Sequence, residues 1–314
     1  MLPSKQHKAL LPLDAVSQEE NTMLHNCTRK LAALASGLIL LSALAACAGA
    51  ATPASQSSGP KDLLDTIKGK GVMRVSTDAN YAPQSFFDEK TKQWKGFDID
   101  TANELGKRLG VKVEFITPQW DAITAGNWAG RWDVSVGSMI ILPEFEKVLD
   151  FTPPYYYTLA QFAVRSDLAG TIKTIDDLSG KTVCVAKSTT YEDYLNGKLN
   201  IKTITTQAPR NVKVASVETD QLCIQSMQSG RKEYDAVLTA ANVVNDGIQK
   251  GAPIVVLGKP VYSEPLAIAV DKSSAPNAKF VAALSKAIND MHADGTLRVL
   301  AMKYFGSDLS QLPK

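Results

Sequence analysis

The sequence predicts an α/β protein built of two lobes. Three observations carry this. A strand, a helix and a strand follow one another between residues 72 and 115; the same succession returns between 182 and 205; and a strand with a long amphipathic helical stretch closes the chain after both units are complete. Strand, helix, strand implies parallel pairing in each unit. The closing segment must then pack back onto one of them, so more than one strand crosses between the lobes. Composition agrees: 314 residues, 45% apolar and 21% charged, are ordinary for a globular chain, and a body of this size can bury a full core as one large domain or two lobes. Disorder, a small disulfide scaffold and a coiled coil are excluded.

The N-terminus reads as an address. Leu31 to Ala46 is LAALASGLILLSALAA, uncharged, preceded by Arg29-Lys30 and followed by Cys47. Sixteen residues fall short of the roughly 20 that span a bilayer, and a basic flank, a short apolar run and small residues at its end describe a secretory signal peptide. Residues 1–46 are therefore a removable leader, with Met23 as a candidate true start, because residues 1–22 carry Asp14, Glu19 and Glu20 ahead of it. Leu44-Ala45-Ala46-Cys47 also resembles the bacterial lipobox, in which the Cys becomes the lipidated first residue; ordinary cleavage after Ala45 is the alternative. Residues 47–61, rich in Ala, Ser, Gly and Pro, read as a flexible tether. Export leaves Cys184 and Cys223, an even pair expected to close a disulfide; two buried free thiols are the alternative.

Within the body, Asp62 to Lys70 is a short helix stopped at Gly71, and Val72 to Thr77 is a strand that breaks into the loop Asp78–Pro83. Phe97, Ile99, Ala102, Leu105 and Leu109 lie at helical spacing, closed by Gly110, and Val111 to Phe115 alternates again. In the middle, Thr182 to Val185 is a strand, 187–190 a loop, Tyr191 to Asn196 a helix and Thr203–Thr205 the next strand. Val261 to Val270 is a strand, and Pro276 to Leu300 a helical region broken at Asp294-Gly295.

Charge narrows the partners. Lys and Arg number 34 against 32 Asp and Glu, which offers no basic face for nucleic acid. His occurs only at positions 7, 25 and 292, which is little material for a His-ligated metal site or a His general base; neither a metal nor a cofactor is expected.

Several stretches are familiar as an ordered set: Gly71 to Asp78 with Tyr81 and Pro83, Gly96-Phe97-Asp98-Ile99-Asp100, Trp120-Asp121, Arg131 to Met139 and Leu149 to Tyr155. The set continues through Leu178 to Val183, Ser188 to Glu192, Tyr234-Asp235-Ala236-Val237 and Asp294 to Leu297. From about residue 62 to 306 the chain resembles the family 3 extracellular solute-binding proteins, the periplasmic or lipid-anchored receptors of ABC importers for polar amino acids and related solutes. The resemblance implies a type II periplasmic-binding-protein fold with a ligand cleft between the lobes, closing about two hinge strands. Lobe one would be residues 62–160 with 264–306, lobe two 163–258, and 307–314 a tail. It further implies a monomeric binding module, outside the cytoplasm and membrane-tethered through lipid, that delivers a small polar solute to the permease subunits of an ABC importer. A dehydratase-like enzyme on the same fold, or a sensor feeding a separate signalling partner, are the competing classes.

The resemblance also implies site residues. Tyr81 and Trp120 stand where two aromatic walls are expected, each with a core position as its alternative. Asp78, at a strand's C-terminal end, would attract an amine; an Asx turn is the alternative. Ser138 follows Gly137 at another strand end, and Thr189 and Thr190 open a helix whose free N–H groups favour a carboxylate, a solvated N-cap being the alternative for Thr189. Two departures stand out. Family members usually have Arg at the position of Phe145, as a fork for the α-carboxylate, and often Asp for the α-amine where this chain has Ala240. Phe cannot replace the bidentate fork, so an acid-lined, partly aromatic cleft for an amine-bearing or cationic solute is expected.

Overall fold

A computed structural model of the chain describes residues 60–311. The leader, the candidate start at Met23, Cys47, all but the last two residues of the tether and the last three residues of the tail lie outside them. In chain order the elements are α1 (Leu63–Lys70), β1 (Val72–Ser76), β2 (Asn80–Tyr81), β3 (Ser85–Asp88), β4 (Gln93–Lys95), α2 (Phe97–Leu109), β5 (Lys112–Ile116), α3 (Trp120–Thr124), β6 (Val134–Ile140), α4 (Pro143–Glu146), β7 (Leu149–Phe151) and β8 (Tyr156–Arg165). They continue with β9 (Thr182–Ala186), α5 (Thr190–Leu195), β10 (Lys213–Val217), α6 (Asp220–Gln228), β11 (Ala236–Ala240), α7 (Ala241–Gln249), β12 (Ile254–Asp271), α8 (Ala278–Ala293) and α9 (Thr296–Phe305).

Helix ends follow local chemistry. Asp62 caps α1 by accepting from the Leu64 N–H, and Gly71 closes it in the left-handed conformation at φ 70°. The apolar positions read at helical spacing in α2 face inward: Phe97, Ile99, Ala102 and Leu105 are all buried. Gly96 is needed at the start of α2, since at φ 130° an added Cβ would lie 2.2 Å from the Gln84 carbonyl oxygen. That close approach seats Asp98 in the first turn of the helix, within hydrogen-bond reach of Ser138 on β6.

The strands join in one sheet of order β10-β9-β11-β8-β12-β6-β1-β5, with β7 paired to β12. Each end is parallel, β1 with β5 and β6, and β9 with β10 and β11. The middle is antiparallel, and β8 and β12 carry the chain across it. Residues Ile254 to Leu257 of β12 pair with the last residues of β8, and Leu266 to Asp271 with β6 and β7; a register shift between Leu257 and Tyr262 bends the strand on the way. Apolar side chains accordingly form separate cores. One gathers β8, β9, β11, α6 and α7, from Ala160 to Tyr262; another gathers α1, β1, α2 and β6 with the returning α8 and α9. The two-lobed α/β fold expected from the sequence is what these cores build.

Two local expectations are corrected. Residues 203–205 are not a strand; the strand beside β9 is β10, ten residues later. Thr203 and Thr205 spend their hydroxyls on the carbonyls of Ser263 and Val261, and the Thr205 N–H donates to Val261 as well, so the segment is stitched onto β12 by side chains rather than by a ladder. The loop after β1 is shorter than read, because Asn80 and Tyr81 pair with β3 in a small three-stranded sheet.

Cys184 of β9 and Cys223 of α6 are joined by a disulfide, with 39 residues of separation. Both are fully buried. The bond lies within one lobe and ties the first turn of α6 to the middle of β9.

Candidate functional site

The parallel ends of the sheet direct the C-terminal ends of β1, β6 and β9 toward one cavity of about 100 Å³ between the two cores. Open α/β sheets bind ligands at these strand ends. All seven residues singled out in the sequence, Asp78, Tyr81, Trp120, Ser138, Phe145, Thr189 and Thr190, line it.

Their hydrogen bonds differ from what the sequence suggested. Ser138 is held at φ 56°, a left-handed conformation unusual for a residue with a Cβ. Three contacts hold it there: its N–H donates to the Tyr155 hydroxyl at 3.0 Å, its hydroxyl donates to Asp98 at 2.8 Å, and it accepts from the Tyr156 hydroxyl at 2.6 Å. The Ser138 hydroxyl is therefore committed to the floor of the first lobe. Thr189 is an N-cap, as its alternative reading had it: its hydroxyl accepts from the Glu192 N–H and donates to the Ala186 carbonyl at 2.7 Å. Asp78 combines both readings, accepting from the Asn80 N–H at 2.7 Å in an Asx turn while it lines the cavity. Burial raises its carboxyl above the ordinary value, against the Asn80 bond, and Glu218 adds to the rise.

Trp120 and Tyr81 lie at the junction of the lobes. The Trp120 indole N–H donates across the cleft to the Ser188 carbonyl at 3.0 Å, and Tyr81 packs against the second core. Asn80 and Gln221 add crossings, to the Thr219 hydroxyl at 3.1 Å and the Ala82 carbonyl at 2.8 Å. Phe145, on α4, presents an apolar side chain where the resemblance implies a guanidinium. Ala240 is buried in the second core and is absent from the cavity wall.

Sequence reasoning missed two acids. Glu264 of β12 and Asp220, the first residue of α6, are 3% and 4% exposed and line the cavity. The Thr190 and Tyr191 hydroxyls both donate to Glu264. Asp220 Oδ1 is buried and has no hydrogen-bond partner. Burial pushes both carboxyls up to about 7. A signal was present for each: Glu264 interrupts an apolar strand, and Asp220 follows Glu218-Thr219 at a helix start. Among the described residues a single cation lines the cavity, Lys187, which sits 3.0 Å from Glu218 and 3.7 Å from Asp121, and no Arg does so. Buried carboxyls without a cation are costly to ionise, so the cavity is electrostatically suited to a positively charged guest. No group of metal-ligating side chains with suitable geometry occurs among the described residues.

Residues 73–307 match the bacterial extracellular solute-binding proteins, family 3. The chain is 31% identical over 257 residues to the L-cystine-binding protein TcyJ of Escherichia coli (strain K12), covering 82% of this chain and 91% of that protein. It is 31% identical over 278 residues to the L-cystine-binding protein TcyA of Bacillus subtilis (strain 168), covering 87% and 96%. Among solved structures, the ancestral amino acid-binding protein AncCDT-1, described as a precursor of cyclohexadienyl dehydratase, superposes with a TM-score of 0.67 at 33% identity, over 77% of this chain and 99% of that one.

Proposed function

This chain belongs to family 3 of the bacterial extracellular solute-binding proteins, and on that premise we propose that it captures a small polar solute bearing an amine, an amino acid or a related compound, and hands it to the permease of an ABC importer. The observation that carries the ligand class is the convergence of Asp78, Asp220 and Glu264 on one cavity walled by Tyr81, Trp120 and Phe145. Ammonium groups take up charged hydrogen bonds from carboxylates, and aromatic faces attract cations. Relatives whose names specify an amino acid ligand, L-cystine among them, support the same class.

Capture works by closure about β8 and β12, the strands that join the cores, with lobe one at 62–160 and 264–306 and lobe two at 163–258. A permease reads the paired rims only when the cleft is shut, which couples occupancy to delivery. The protein acts as a monomer and performs no chemistry on its ligand. Cys47 carries the lipid that holds it at the membrane, with several acyl chains supplying stable anchoring. Intact mass of the membrane fraction should show acylated Cys47 as the first residue; a soluble product beginning at Ala46 would remove the anchor from this reading.

A thermal-shift screen of amino acids and amines tests the capture itself, because a ligand at 100 times its Kd stabilises the folded state by about 2.7 kcal/mol. An amine-bearing solute should give the largest shift and be recovered unaltered, and Asp78→Asn should reduce that shift. Acidic solutes such as glutamate shifting the protein most, or turnover of the ligand, would overturn the proposal.

A further inference from the structure

The hydrogen-bond inventory of the cavity narrows the ligand further, and the narrowing rests on the solute-binding reading above. An α-amino acid brings two charged ends, and its carboxylate needs donors. Many of the side-chain donors that surround this cavity are already given away within the protein. The Ser138 N–H and hydroxyl go to Tyr155 and Asp98, the Thr190 and Tyr191 hydroxyls to Glu264, and the Thr189 hydroxyl to Ala186. The Trp120 indole donates to Ser188, whose own N–H donates to Glu192 at 2.6 Å. Lys187 is shared between Glu218 and Asp121. What the wall leaves unpartnered includes a carboxylate oxygen, Asp220 Oδ1, and the Thr77 hydroxyl, both buried, each of which can accept from an ammonium.

A site with Asp78, Asp220 and Glu264 on its wall, and with its one lining cation among the described residues already paired to Glu218 and Asp121, is complementary to a guest made of donors. With Phe145 where a fork for a carboxylate would stand, we infer that the preferred ligand is a carboxylate-free organic cation, a primary amine or guanidinium on an aliphatic stem, rather than the α-amino acid of the same side chain. The ammonium would reach Asp220 and Glu264, while the stem lies against Trp120 and Phe145. A carboxylate would instead meet Phe145 and a ring of carboxyls, where like charge and unmet hydrogen-bonding both oppose it. Burial keeps Asp220 and Glu264 near the point of ionisation at neutral pH, so an arriving cation draws them into the charged form.

Matched pairs that differ only by the carboxylate decide this. Isothermal titration of the mature protein should show cadaverine binding at least tenfold tighter than L-lysine, and agmatine at least tenfold tighter than L-arginine. Phe145→Arg should narrow or invert both ratios, and Asp220→Asn should weaken the amines more than the amino acids; circular dichroism melts establish that each variant is folded. Equal or tighter binding of L-lysine and L-arginine would overturn the inference and leave the amine-binding reading intact. Binding of L-cystine or a neutral amino acid with none of the four probes would overturn it while leaving only the family's solute-binding role. Failure of every one of these solutes would count against both readings.

Discussion

Asp98 and Asp220 are two aspartates buried to nearly the same degree, one in each lobe, and burial pushes both carboxyls up to about 7. Their surroundings differ. Asp98 receives the Tyr155 hydroxyl at 2.7 Å and the Ser138 hydroxyl at 2.8 Å, beneath a cluster in which Phe97 stacks on Tyr155 with ring centroids 5.7 Å apart. Asp220 faces the cavity with one oxygen unpartnered. A buried polar group that is satisfied shapes the protein around it, whereas one left open marks a place prepared for something else. The floor of the first lobe is thus structural, and the wall of the second is where recognition concentrates.

The contrast can be broken in several ways. Removing the Cys184–Cys223 bond by the double substitution to Ser has the largest expected effect, because a closed loop of 39 residues lies in the range where loss costs about 3–4 kcal/mol. Urea unfolding should show it, and a loss below about 1 kcal/mol would mean that packing alone braces α6 and its Asp220. Asp98→Ala should cost about 2–4 kcal/mol in the same measurement, since it orphans two buried hydroxyls at about 1–3 kcal/mol each. The partner experiment, Asp220→Ala, should leave stability at pH 8 unchanged or raised, because it removes a buried carboxylate that no cation pairs. If both aspartates behave alike, the distinction between floor and wall fails.

Binding should divide them the other way. Asp220→Asn should weaken an amine ligand by about 1.5–3 kcal/mol, the worth of hydrogen bonds to a charged group, with little change in the unfolding midpoint; calorimetric titration reads the first and a thermal melt the second. The smallest effect is on pH dependence. Carboxyls raised in the folded state bind more protons there than in the unfolded chain between about pH 4 and pH 7, so the stability of the free protein should fall as pH rises through that window. Melts at pH 5 and pH 8 should differ in that sense, and by less in an Asp220→Asn, Glu264→Gln double variant. Amine affinity should run oppositely, rising from pH 6 to pH 8 by about 1 kcal/mol as Asp220 and Glu264 ionise, with Asp78, Glu218 and Lys187 contributing to the same field.

Much of this could be read in the chain before it was folded. Periodicity located α2 and the α8–α9 region because they bury apolar faces, and turn chemistry placed the end of α1 at Gly71, the end of α2 at Gly110 and the break between α8 and α9 at Asp294-Gly295. Strand ends placed Asp78 and Ser138 at the cavity, since the C-terminal end of a parallel strand is a local feature visible as a break in alternation, while Tyr81 and Trp120 came from the family resemblance and Thr189 from the start of a helix. The segment at 203–205 misled because its alternating Thr and Ile have the pattern of a strand, while its partners are carbonyls of β12 almost sixty residues away.

The sequence by itself determined the two α/β units, the returning helices, the pairing of the two body cysteines as the expected outcome of export, and an aromatic cleft lacking its arginine. Tertiary structure alone decided which polar groups remain open. Ser138 looked available for a ligand and Asp220 looked like one acid at a helix start among others; folding consumed the first through Asp98, Tyr155 and Tyr156 and left one oxygen of the second unpartnered. Residue type states what a side chain can donate or accept, and only the positions of its neighbours state whether that capacity is already used.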